Sequence, residues 1–197
     1  QDRVLPAFER LKPLFIVMIL VMIPLAITEL GTDSWITSIL TPAMTDLGVN
    51  AGWVLVYAMS IVLVLRLFAG PLVHKFSPLG LLAISALVAA VGLWLLSKSA
   101  SAAMIVLAAT VYSFGKAFFW PTSLGVVAEQ SPRGGAITLN VVAGIGMLGA
   151  GVIGGPLIGK VLDGQLAHGV AAYDAKSNTQ RVETVKRERT GLFGDYT

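Results

Sequence analysis

From Leu79 to Leu96 the chain runs LGLLAISALVAAVGLWLL without one charged side chain. An apolar stretch of 18 or more residues is the length that carries a helix across a bilayer. Several such runs recur along the sequence, and composition agrees with them. Hydrophobic residues make up 55% of the 197 residues and charged residues 13%, with mean hydropathy +0.79. A soluble domain carries about 25% charged residues, so this chain has too few to cover a soluble surface. The expected fold class is an all-α integral membrane protein.

The net charge is +3 and the pI about 9.3. The basic residues sit in short patches beside apolar runs, with no Lys/Arg cluster interleaved with aromatics. They read as positive-inside topology signals and not as a nucleic-acid surface. There is no Cys, which excludes a disulfide framework and a thiolate metal site. His74 and His168 are far apart, so neither a metal site nor a cofactor is expected. The chain opens Gln-Asp, not Met, and shows no signal peptide. The opening reads as a cut through a longer chain.

Five spans are expected, at about 13–30 (A), 52–69 (B), 79–96 (C), 102–127 (D) and 135–162 (E). They form a transmembrane bundle over 13–165, between a linker at 1–12 and a polar extracytoplasmic tail at 166–197. Pro24 should kink span A, as membrane helices tolerate. The stretch ELGTDSWITSILTPAMTDLG after it lacks a clean polar loop and reads as a broken extension of that helix. Pro156 should break or kink the end of span E.

Lys and Arg give the orientation. Arg3, Arg10 and Lys12 precede span A, Lys75 lies between B and C, and Arg133 lies between D and E. The A–B link has no basic residue and the C–D link only Lys98. The N-terminus is therefore expected in the cytoplasm of a multi-pass protein of the cell (inner or plasma) membrane. The tail then falls outside, although it carries Lys176, Arg181, Lys186, Arg187 and Arg189.

Charges within the spans carry the functional expectation. An ion in hydrocarbon costs several kcal/mol, so such residues normally face a bundle interior or a wet cavity. Glu29 and Asp33 share a face if the helix continues. Asp33 either lines that face or reaches the outer interface. Lys116 lies inside span D, as a ligand-facing residue, a structural ion pair or a snorkelling side chain. Tyr112 and Trp120 stand four residues either side of it, a stripe suited to a polar organic solute. Asn140 in span E completes the expected substrate pathway, and Arg66 reads as structural, near the cytoplasmic edge. Within span E, Gly144, Gly146 and Gly149 mimic a dinucleotide fingerprint, and Gly154, Gly159 and Lys160 a P-loop. Both motifs need a preceding strand, and the P-loop needs Ser or Thr where Val161 stands. Gly151, Gly155 and Gly159 at four-residue spacing instead predict close helix packing.

Two motifs carry a family resemblance. Arg66-Leu-Phe-Ala-Gly70-Pro-Leu72-Val-His74-Lys75 joins B to C. It resembles the loop signature Gly-x-Leu-x-Asp-Arg-x-Gly-Arg-Arg of the major facilitator superfamily. Gly70, Leu72 and Lys75 match, His74 stands where the family has Asp, and the later basic residues are missing. Gly70, one turn after Arg66, should let two helices approach closely. The second motif is Gly115-Lys-Ala-Phe-Phe-Trp120-Pro121, then Glu129-x-x-Pro132-Arg133-Gly134, then a glycine-rich helix ending Gly155-Pro156. Together they cover about residues 12–163. The resemblance implies five helices of a six-helix half-bundle, corresponding to helices 7–11 in the C-terminal half of a sugar-type permease. It also implies a conformational role for the Arg66–Lys75 loop and alternating-access transport, here as an incomplete half. The expected activity is proton- or ion-coupled transport (symport) of a small polar organic solute, sugar-like or an organic anion, with Glu29 as proton carrier. The partners would be that solute, the lipid bilayer and the other half of the same transporter. A non-transporting scaffold and, less so, a membrane-embedded enzyme are the alternatives.

Overall fold

A computed structural model describes residues 13–45, 48–70, 77–99, 101–132, 134–177, 189–191 and 194–196. The expected linker at 1–12, together with Leu72, His74, Lys75 and Arg133, lies outside the described residues. The rest is almost wholly helical. Helix α1 (Pro13–Ala26) passes through a π turn (Ile27–Gly31) into α2 (Thr32–Thr45). Helices α3 (Gly52–Leu67) and α4 (Pro78–Ser97) follow, then α5 (Ala102–Lys116) and α6 (Phe119–Gln130). Helix α7 (Gly135–Leu148) passes through a second π turn (Gly149–Gly154) into α8 (Gly155–Ser177). Two three-residue strands, β1 (Arg189–Gly191) and β2 (Gly194–Tyr196), pair antiparallel.

Four stretches are long and apolar enough to cross a membrane: Pro13–Ser38, Pro78–Ser97, Ala102–Gln130 and Gly135–Lys176. Helix α3 is apolar but has 16 residues, about 24 Å. These lengths point to a membrane protein. The residues after Leu30 continue span A as helix beyond the π turn, as the lack of a clean polar loop led one to expect. Pro24 offers no N–H to Leu20, and Thr28 Oγ1 donates back to the Pro24 carbonyl at 2.8 Å. The ladder re-forms through the π turn three residues on, a common accommodation in a helix under local strain.

Of the two alternatives expected at Pro156, the break does not occur. Pro156 stands just after the π turn through which the helix continues, where the ladder is already shifted from the regular four-residue pattern. The helix then runs on to Ser177, past the expected end of the bundle at 165 and into the polar segment that begins at 166. Between Leu157 and Ser177 no proline interrupts the ladder. Polarity alone does not stop a helix.

In lipid the hydrophobic effect does not drive helices together, so close van der Waals contact matters more. Gly92 lies against the Tyr112 backbone and Gly115 against that of Ala89, which brings α4 and α5 together as an antiparallel pair. Gly146, Gly149 and Gly154 face Met22, Ile23 and Ile27, where an added Cβ would meet side-chain carbons at 2.9–3.0 Å. These contacts run in the same chain order on both helices, so span A lies parallel to span E. Of the glycines expected to pack, Gly159 makes an ordinary 3.7 Å contact with the Trp35 ring, while Gly151 and Gly155 meet no other helix among the described residues. Gly151 lies in the π turn, so the four-residue spacing from it to Gly155 does not mark one face.

Two apolar clusters bracket the middle of the bundle. One joins Phe15, Met18 and Met22 to Leu82, Phe119, Val126 and Val142. The other joins Ile36, Leu40 and Met44 to Val54, Ile105 and Ala109. A third, smaller cluster seats Val62 and Ala69 on Leu81, Ala117 and Phe118.

Gly92→Ala and Gly115→Ala should each lower the thermal stability of the detergent-solubilised protein by about 1–3 kcal/mol, since each methyl would strike backbone. Gly151→Ala should leave it unchanged or slightly raised, because Ala is the better helix former. Equal melting temperatures for all three variants would refute this packing.

Candidate functional site

Glu29 is 16 residues beyond Pro13, Arg66 is 14 beyond Gly52 and Lys116 is 14 beyond Ala102. Glu29 and Lys116 therefore sit near the middle of the long helices Pro13–Ser38 and Ala102–Gln130, whereas Arg66 stands in the last turn of α3 and reaches that level through its side chain. Glu29 lies in the first π turn and is buried. Arg66 Nη2 donates to Glu29 Oε1 at 2.7 Å, and Arg66 Nε donates to the Ala117 carbonyl at 3.1 Å. The second contact has a sequence cause. Residue 121 is a proline, so the Ala117 carbonyl has no N–H four residues on to accept. The helix opens between Lys116 and Phe119, and the arginine takes the bare carbonyl.

Lys116 is completely buried and pairs with Asp33 Oδ1. Its ammonium also lies 5.2 Å from the centre of the Tyr112 ring, within cation–π range. The Tyr112 hydroxyl donates to the Thr28 carbonyl in the first π turn at 2.7 Å. Four charges thus form two pairs of zero net charge, tying α1–α2 to α3 and α5.

Several expected site residues come together and others do not. Glu29, Asp33, Tyr112 and Lys116 share this charged layer. Asp33 and Lys116 pair within the chain's interior. Arg66 stands in the last turn of α3, near the end of its span as expected, and its side chain reaches the layer. Trp120 is half-buried and packs against the first apolar cluster, which includes Tyr112. Asn140 is exposed on α7, with no side-chain hydrogen bond among the described residues. No atom of the described residues lies within 4 Å of a Cβ built on Gly70.

Sequence reasoning missed the Ala117 and Thr28 carbonyls and two hydroxyls on α6. Thr122 Oγ1 and Ser123 Oγ are buried without a partner among the described residues, as is Glu29 Oε2. Pro121 was the available signal for Ala117, because a proline frees the carbonyl four residues before it. Nothing local marks the others. No protein-family profile matches the chain, and no curated protein or solved structure shows detectable similarity to it.

Removing one partner of a buried ion pair leaves an uncompensated charge, so Lys116→Met should destabilise the protein by about 3 kcal/mol or more. Adding Asp33→Asn should recover most of that loss. Unfolding measurements on the two single variants and the double variant give the coupling directly. Strictly additive losses would mean that the pair does not act as one.

Proposed function

We propose that the chain forms five helices of one half of a major-facilitator-type secondary transporter. The transporter would move a small polar organic solute, sugar-like or an organic anion, by alternating access with proton or ion coupling. The observation that carries this reading is the charged layer. A buried ion pair is weak stabilisation at best, and apolar residues of similar volume often do as well. Two such pairs, Arg66–Glu29 and Lys116–Asp33, inside apolar spans favour a functional cause over a structural one.

The interruptions support it as well. The π turns at Ile27–Gly31 and Gly149–Gly154 pack on each other, and the opening at Ala117–Phe118 reaches the same layer through Arg66. Membrane transporters commonly build solute and ion sites where helices are discontinuous near the bilayer middle. Helix α4 packs chiefly on α5 and α6, which suits the lipid-facing brace of such a half. Spans A, B, D and E would wall the pathway, and the other half of the transporter would supply the facing wall. The distribution of Lys and Arg favours the cell membrane with the N-terminus inside.

Flux into proteoliposomes bearing the full-length protein tests the reading. Glu29→Gln and Lys116→Ala should each slow uptake about tenfold or more, equivalent to about 1.4 kcal/mol on the barrier. Unchanged flux in both variants would remove the charged layer from the pathway. A full-length protein that moves no solute would favour a scaffold.

A further inference from the structure

Of the four charges in the layer, three are enclosed and one is open. The side chains of Lys116, Glu29 and Asp33 are 0%, 7% and 13% exposed, whereas that of Arg66 is 37% exposed. A guanidinium carries five N–H donors in a planar fork. Arg66 uses Nε on the Ala117 carbonyl and Nη2 on Glu29 Oε1. Among the described residues, both donors of Nη1 and the second donor of Nη2 have no partner. One edge of the fork is thus tied to the bundle and the other is free.

Arg66 stands in the last turn of α3, but its guanidinium bonds Glu29, the 17th of the 26 residues of Pro13–Ser38, and Ala117, the 16th of the 29 of Ala102–Gln130, so the free edge lies at the mid-span level of those two apolar helices. A cation directed at acyl chains there would cost several kcal/mol or more. A free edge at this depth is tolerable only against water in a cavity or against a negatively charged group.

We infer that the exposed edge of Arg66 is an anion-recognition site and that the transported solute is an organic anion carrying a carboxylate or similar group. This rests on the transporter reading and narrows its solute class. The fork matches a carboxylate with two parallel N–H···O bonds. A cationic solute finds no comparable group, because Glu29 Oε2 is fully buried and Asp33 is held by Lys116. A neutral sugar offers hydroxyls but no charge to repay the desolvation of the guanidinium. Glu29 is then a positioning residue that holds the fork from behind, not a ligand of the solute.

Phenylglyoxal labelling of Arg66 in the full-length protein, read by peptide mass spectrometry, tests this without relying on a variant that must fold. Arg66 should label, and gluconate, malate or benzoate should protect it. Glucose and glucosamine at the same concentration and ionic strength should not. At a carboxylate concentration equal to its dissociation constant, labelling should fall by about half. An unreactive Arg66 overturns the inference, because the edge is then covered. Labelling that none of the three carboxylates slows, or that glucose slows equally, also overturns it. So does protection that requires anionic lipid, which would assign the edge to a headgroup.

Uptake of gluconate against glucose separates the two readings. Glucose flux that is indifferent to Arg66→Lys sinks the anion inference and leaves transport standing. Protection by carboxylates with no flux of any solute sinks transport and leaves the anion site. The paired variant Glu29→Gln/Arg66→Gln leaves no unpaired charge and should lose both the label and gluconate uptake.

Discussion

Arg66 holds a carboxylate of one helix and a bare carbonyl of another in the middle of an otherwise apolar bundle. The rest of the interior is arranged around that contact. Without it Glu29 would be an unpaired charge among methyl groups, and the Ala117 carbonyl an unsatisfied acceptor. Either costs several kcal/mol in a low-dielectric interior. With it, α3 is fixed to the first π turn on one side and to the opening between α5 and α6 on the other. Lys116 and Asp33 repeat the arrangement from α5 to α2, and Tyr112 closes the gap by donating to the π turn itself.

The apolar clusters on either side give this layer its character. Phe15, Met18, Met22 and Phe119 pack on one side, and Ile36, Leu40, Met44 and Ile105 on the other. Charges between two such clusters are shielded from bulk water along the bundle axis, so their interactions are stronger than at a surface. Access is then lateral, and Arg66 is the member of the layer that is open to it. The glycine contacts set how closely the helices approach, through Gly92 and Gly115 between α4 and α5 and through Gly146, Gly149 and Gly154 against span A.

Much of this was legible in the sequence. Apolar runs announce helices because their length matches a bilayer, and Glu29, Asp33 and Lys116 stand out as charges within such runs. The reading of Gly151 together with Gly155 and Gly159 assumes an unbroken 3.6-residue helix, and the π turn at Gly149–Gly154 shifts Gly151 off the face of the other two. Arg66 reads as a structural residue near the end of span B, and only the fold shows that its long side chain reaches a carboxylate on another helix.

The sequence by itself determined that the chain is built from apolar helices and which of its charges stand inside them. It also determined where a proline strips a carbonyl of its partner, as Pro121 does for Ala117. These properties follow from hydropathy and from the missing proline N–H, both local. Only the tertiary structure decided that Glu29 goes to Arg66 and Asp33 to Lys116, with one guanidinium edge left open. Pairing depends on the depth and rotation of whole helices. Those are set by where the π turns fall and which glycines meet a neighbour, and no single segment of the chain carries that information.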